Sequence, residues 1–252
     1  MSKRKRSYYE KGPLARLWSA FNPNNETTEE NLPDKQMLDY LESSYPSNHN
    51  YALNQGRLIA LRKLEKRYRD IAALYPEGMR SLLDITCSKG FFVFDAILSY
   101  GCERSMGIDV LEHELDACAS VQKYLNDDIA RFEQMRLHEL ANEIEDFGGP
   151  FDAVLVINCY QHLYFGSSRF VESYMSHDRI FQNLREVCNG RVIFSNRIDV
   201  DHLQDYPANI ANGPDMKETY DEATVFSAAS KYFEVKRAGK LGRYPLWTLD
   251  AH

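Results

Sequence analysis

Apolar positions Leu58, Leu61, Leu64, Tyr68, Ile71 and Leu74 recur at helical spacing, predicting one long amphipathic helix that stops near Pro76 and Gly78. Ahead of it, Pro33 suits a helix start, and "PDKQMLDYLESSY" reads as helical until Pro46 interrupts it. The polar and aromatic stretch "PSNHNYALNQGR" separates the two helices. Residues 1–32 show little periodicity apart from "LARLWSAF", which fits a flexible arm with one short docking helix. From Arg80 onward, short β-branched or leucine-rich runs alternate with helical segments, the signature of βαβ units around a parallel sheet. Strands are expected at 81–86, 105–109, 131–136, 151–158 and 191–195. The closing "KYFEVKRAGKLGRYPLWTL" holds two strand-like runs joined between Gly239 and Gly242, so the sheet is expected to end in an antiparallel hairpin. The expected organisation is an arm at 1–32, a helical cap at 33–79 and an α/β domain at 80–252.

Composition narrows the partners more than the fold. The 252 residues are 44% hydrophobic and 27% charged, ordinary for a globular chain with a substantial core. No stretch approaches the ~18 consecutive apolar residues of a membrane span. A net charge of −7 disfavours a broad nucleic-acid surface. Two local basic runs, "SKRKR" and "LRKLEKRYR", read as a solvated terminus and the wet face of a helix. No apolar segment follows the basic opening "MSKRKRSYYEKG", so no secretory signal is read there and a cytoplasmic setting is expected. Cys87, Cys102, Cys118, Cys159 and Cys188 are scattered without a CxxC pair, which points to reduced, mostly buried thiols. The histidines lack metal-ligand spacing, and no metal is expected.

In an open parallel sheet, ligands bind beyond the carboxyl ends of the strands, so the exit of the first strand is the place to look. It reads "LLDITCSKGFFVFDA". A dinucleotide fingerprint would need G-x-G-x-x-G, yet Thr86, Ser88 and Gly90 stand roughly where glycines belong and only Gly90 is one. Without a pyrophosphate to accommodate, such a turn tolerates small side chains.

From about residue 80 to 249 the motifs resemble, in order, those of the class I S-adenosylmethionine-dependent methyltransferases. "LLDITCSKGFF" resembles their first motif, "SMGIDVLEHELDAC" the second, "FDAVLVINCYQHLYF" the fourth and "GRVIFSNRID" the fifth strand. The resemblance implies a seven-stranded Rossmann-like sheet and S-adenosyl-L-methionine as cofactor. It implies that Asp84, Thr86, Cys87, Ser88 and Gly90 surround the cofactor's amino-acid end, that Asp109 and Val110 meet the ribose, and that Asn158 lies near the methyl group. Two departures stand out: Thr86 replaces the first glycine, and "RFEQMRLHEL" lacks the usual acidic residue for the adenine, leaving Leu137 and His138 for backbone and stacking contacts. The turn and fourth motif are also distantly similar to the transferases acting on the tRNA wobble uridine.

Methyl transfer is an in-line displacement, so catalysis is mostly orientation, with a base needed only for a hydroxyl acceptor. His162 is the general-base candidate and Tyr160 stands beside it; the other reading has His162 packing at a helix start, with Tyr160 and Tyr164 walling the pocket. Similar segments to "NHNYALNQGR" in some methyltransferases fold over the cofactor, which would give Tyr51, Gln55 and Arg57 a role, Arg57 gripping the carboxylate. The other reading caps a helix with Asn50 and leaves Arg57 solvated. The polar segment after residue 195 offers Asn196, Arg197, Asp199 and Tyr206 as acceptor-site candidates. A small polar acceptor fits best, of glycan or natural-product type, methylated on oxygen or nitrogen; the 16 tyrosines suit walls that stack on rings or sugars. The alternatives are an RNA-modifying methyl- or carboxymethyltransferase and a cofactor-fold protein that binds without catalysis.

Overall fold

A computed structural model of the chain describes residues 31–166, 173–203 and 219–252. Asp34 caps helix α1 (Lys35–Ser43), its carboxylate accepting from the Met37 amide at 2.8 Å. After a 3-10 turn (Ser47–His49) the chain forms an antiparallel hairpin, β1 (Tyr51–Asn54) with β2 (Arg57–Ala60), and then helix α2 (Arg62–Ala72). The helix predicted from Leu58 is therefore shorter, because Leu58 pairs with Leu53 inside the hairpin. Gln55 and Gly56 both adopt left-handed torsions, φ 49° and 69°, which let a two-residue turn follow the strand twist. The side of α2 turned inward carries Leu64, Arg67 and Ile71.

The main sheet begins with β3 (Ser81–Ile85), followed by α3 (Phe91–Tyr100), β4 (Arg104–Asp109), α4 (Glu112–Leu125) and β5 (Ala130–Gln134). The chain then returns through α5 (Leu137–Asn142) to β6 (Phe151–Ile157), on the other side of β3. Next come α6 (Tyr160–Phe165), α7 (His177–Val187), β7 (Cys188–Ser195), α8 (Glu222–Ala229), β8 (Phe233–Leu241) and β9 (Tyr244–Ala251). The seven strands lie in the order β5-β4-β3-β6-β7-β9-β8, parallel except that β9 runs against both its neighbours. All five predicted strands are present with ends shifted by three residues at most, and the terminal hairpin is present.

Leu82 and Leu83 on β3 belong to different apolar clusters, as expected where successive side chains of a sheet covered on both faces point opposite ways. One layer packs α1 to α4 against the sheet, with Leu41, Leu64, Phe92 and Val121 buried. The other packs α5 to α8, with Leu140, Tyr164, Phe181 and Val225. All five cysteines are free and buried, as the sequence predicts. Among the described residues no helix is long and apolar enough to cross a membrane.

Register positions the site. Ile108, Ile85, Val156, Phe194 and Trp247 form one continuous row across β4, β3, β6, β7 and β9. The turn after β3, Asp109 at the end of β4, and Asn158 after β6 all lie just beyond this row. The order reverses between β3 and β6, where an open parallel sheet leaves a crevice for ligands.

Candidate functional site

The turn leaving β3 keeps the backbone of a glycine-rich loop without its glycines. Thr86, Ser88 and Gly90 all take left-handed torsions, φ 62°, 51° and 74°. Such a torsion is a genuine strain for a β-branched residue such as Thr86 and persists only where the surroundings fix it. They do: the Cys87 amide donates to the Ile108 carbonyl at 3.0 Å, the Ser88 amide to Asp109 Oδ2 at 3.0 Å, and the Gly90 amide to the Cys87 carbonyl at 3.0 Å. A side chain at Gly90 would be strained at its positive φ and would force its neighbours to shift, since a Cβ there would come within 2.8 Å of Cys118 Sγ and 2.9 Å of the Phe132 ring.

Asp109 accepts from Val110 and Leu111 amides through Oδ1, at 2.8 and 3.1 Å, as well as from Ser88 through Oδ2. Burial raises its pKa against these three stabilising amides. Asp84, at the end of β3, is more isolated. Its Oδ2 is buried with no hydrogen-bond partner, and burial pushes the carboxyl up to about 8, with Arg67 lowering it and Asp109 raising it.

Arg67 was not singled out by the sequence, where it belonged to the wet face of a helix. Arg67 lies three residues after Leu64 and four before Ile71, on the buried side of α2, and is only 7% exposed. Its guanidinium makes long contacts to neutral acceptors: Nη1 to His49 Nε2 at 3.2 Å and the Asn48 carbonyl at 3.4 Å, Nη2 to the Ile157 carbonyl at 3.5 Å. No carboxylate pairs with it among the described residues. Burial pulls its pKa down to about 10, while Asp84 raises it. Burial, then Arg67 and Lys89, keep the neighbouring His49 neutral. A buried cation and a buried carboxyl thus stand near one another without forming an ion pair, beside two more unsatisfied atoms, Asn50 Nδ2 and Asn158 Oδ1.

The cap is fastened to the turn by Lys89, also unforeseen. Its side chain is fully buried, and Nζ donates to the Tyr40 and Ser44 carbonyls at 2.7 and 3.0 Å and to Asn50 Oδ1 at 2.8 Å. Burial lowers its pKa to about 8. Tyr51 donates its hydroxyl to the Lys89 carbonyl at 2.6 Å, and Ser88 Oγ donates to Glu114 at 3.2 Å. Tyr51 and Ser88 therefore brace the turn, and Cys87 packs beneath it against Gly107.

The other predicted residues divide sharply. Arg57 is exposed and Gln55 lies in the hairpin turn; the adjacent Gly56 amide donates to Tyr124 at 3.1 Å, in the last turn of α4. That is about 20 Å along the helix from the end that follows Asp109, so the hairpin carries Arg57 away from the crevice. Leu137 is buried and His138 meets the Tyr174 ring edge-on at 5.8 Å, at the start of α5 beyond β5. His162 is exposed in the first turn of α6, next to the crevice. Tyr160 is not available for catalysis: it is wholly buried, and its hydroxyl donates to His177 Nδ1 at 2.5 Å, while His177 Nε2 donates to the Thr219 carbonyl at 2.7 Å. Tyr164 and Tyr220 complete that packed aromatic cluster. Asn196 is likewise internal, its Oδ1 accepting from the Cys159 and Tyr160 amides and its Nδ2 donating to the Val156 carbonyl. It ties the ends of β6 and β7 together instead of meeting an acceptor. Arg197 and Asp199 follow at the outer edge, with Arg197 over the Tyr244 ring at 5.6 Å. Tyr206 lies outside the described residues.

No protein-family profile and no curated protein matches the sequence. Solved structures do. The chain is similar to the PH0226 protein of Pyrococcus horikoshii OT3, with a TM-score of 0.54 at 19% identity over 76% of this chain and 92% of that one. It is similar to the N-terminal domain of EvdMO1, solved with S-adenosylhomocysteine (SAH) bound, with a TM-score of 0.52 at 15% identity over 74% of this chain and 81% of that one. The bifunctional kinase-methyltransferase WbdD matches at a TM-score of 0.51 and 15% identity, over 75% of this chain. The fold is that of the class I methyltransferases. This chain spans only 38% of the WbdD chain. In the methyltransferase fold the strand order reverses between β3 and β6, the crevice where Arg67, Asp84, Asp109 and Asn158 converge.

Proposed function

We propose that the chain is an S-adenosylmethionine-dependent methyltransferase acting on an oxygen or nitrogen of a small polar acceptor. The observation that carries this reading is the unpaired couple of Arg67 and Asp84 beside the left-handed turn. An amino-acid zwitterion matches it, carboxylate to Arg67 and ammonium to Asp84 Oδ2. Arg67 takes the role that the sequence suggested for Arg57. Asp109, with both oxygens fixed by backbone amides, keeps lone pairs for a sugar diol, and Val110, Leu137 and His138 border the adenine side. The SAH-bound EvdMO1 domain supports the same cofactor class.

When bound, S-adenosylmethionine supplies the activated methyl group and its thioether leaving group. The chain's part is orientation. The turn would hold the cofactor's amino-acid part and Asp109 its ribose, the Asn158 carbonyl held by Gln161 Nε2 at 2.8 Å would shape the floor, and His162 on the rim would receive the proton of a hydroxyl acceptor. A free amine would need no base.

Calorimetric titration with S-adenosylmethionine and with its demethylated product tests the reading. Both are expected to bind, and Asp109→Ala to weaken them more than tenfold. Absence of binding, or preference for a dinucleotide, would overturn it.

A further inference from the structure

The terminal hairpin overhangs the end of the sheet where the crevice opens. Trp247 pairs with Phe194 near the end of β7, so the part of β9 before it and the matching part of β8 project beyond the strand ends. Between this overhang and the chain leaving β7 lies a cavity of about 230 Å³, lined by Asp199, Glu222, Arg237, Lys240, Arg243 and Trp247. Arg237 is turned to Glu222 at 3.4 Å and covers the Phe226 ring. Lys240 and Arg243 have no carboxylate partner among the described residues; Arg243 donates to the Tyr244 hydroxyl at 2.9 Å and lies over the Tyr244 ring at 5.1 Å. Two donors nearby lack acceptors: Trp247 Nε1, in a fully buried side chain that lines the cavity, and Arg197 Nε.

Free cations and unsatisfied N–H donors share one complement, a compact oxyanion. We propose that this cavity binds a phosphate monoester group on the acceptor, so that the substrates are phosphorylated small molecules. The chain's net charge of −7 and the small volume of the cavity favour a single phosphoryl group over a polyanion. β9 lies two strands from β6, about 10 Å at the spacing of neighbouring strands. A sugar phosphate bridges that gap, its anionic end on the hairpin and a hydroxyl beside Asn158. The identity of the substrate rests on the methyltransferase reading, whereas the anion site can be tested without it.

Trp247 is one of two tryptophans, and in a Trp18→Phe background it is the sole tryptophan emitter and lines the cavity. Glucose 6-phosphate, titrated at constant ionic strength, is expected to change this emission saturably, and glucose to leave it unchanged. Lys240→Ala with Arg243→Ala should weaken the response at least tenfold, and the exchange Lys240→Arg with Arg243→Lys should restore it to within about threefold; both positions are exposed, and thermal melts verify folding. A response absent in the parent, unaltered in the alanine variant or reproduced by potassium chloride would overturn the proposal. So would steeply salt-dependent tRNA binding without a sugar-phosphate response, which would make the hairpin a nucleic-acid surface. S-adenosylmethionine titrated on the same protein keeps the two readings apart. Cofactor binding without phosphate binding removes only the anion site, and the reverse removes only the methyltransferase assignment.

Discussion

Lys89 donates to the Tyr40 carbonyl at 2.7 Å, so that a cation in the crevice turn closes the C-terminal end of the cap's first helix. Replacing Lys89 by Met keeps the volume but removes the donor shared by the half-buried Tyr40 and Ser44 carbonyls and by buried Asn50 Oδ1; the Tyr40 carbonyl keeps only the Ser44 amide, at 3.3 Å. The expected loss is about 2–4 kcal/mol in urea unfolding. A midpoint equal to that of the parent would show that this junction contributes nothing.

Asp84 gives a pH signature. A carboxyl whose folded pKa is raised to about 8 adds stability that is complete below about pH 4 and lost as pH rises through about 8. Without cofactor, unfolding free energy should fall between about pH 5 and pH 8 by at least about 1 kcal/mol more in the parent than in Asp84→Asn. An ammonium group arriving beside Asp84 favours the ionised form, so cofactor binding near neutral pH should release close to one proton. Calorimetry in buffers of differing ionisation enthalpy reads that release directly.

Thr86 holds a left-handed torsion that glycine adopts freely. Thr86→Gly should raise the melting free energy, by about 1 kcal/mol, because relief of strain outweighs the added freedom of the unfolded chain. A drop in melting temperature would mean that the threonine side chain, in hydrogen-bonding contact with Cys159, matters more than its torsion.

Tyr160→Phe separates support from chemistry. Loss of the hydroxyl leaves buried His177 Nδ1 without a donor, and a destabilisation of about 1–3 kcal/mol is expected. The transferase rate per folded molecule should change less than threefold; a collapse of the rate at unchanged stability would return Tyr160 to the catalytic group.

β3, β4 and β6 were legible because each is a short, mostly apolar run with both faces covered, and Asp84 and Asp109 were legible because they stand at the ends of such runs. Arg67 was masked by the bases around it: in "LRKLEKRYR" it looks like any other exposed base, although its spacing from Leu64 and Ile71 puts it on the buried side of α2. Lys89 was hidden for another reason, since its three acceptors come from residues 39 to 49 positions earlier. The pairing of β8 with β9 was legible in two strand-like runs joined between Gly239 and Gly242, whereas the distance by which both overrun β7 is not something a local pattern reports.

The three left-handed torsions at Thr86, Ser88 and Gly90 bear on how relatives of such a chain are to be sought. A scan that reads letters looks for glycines and passes over this loop, although its path through space is the one glycines usually trace. Comparing torsion strings, with any small residue allowed at the positive positions, would group this loop with those it follows in shape.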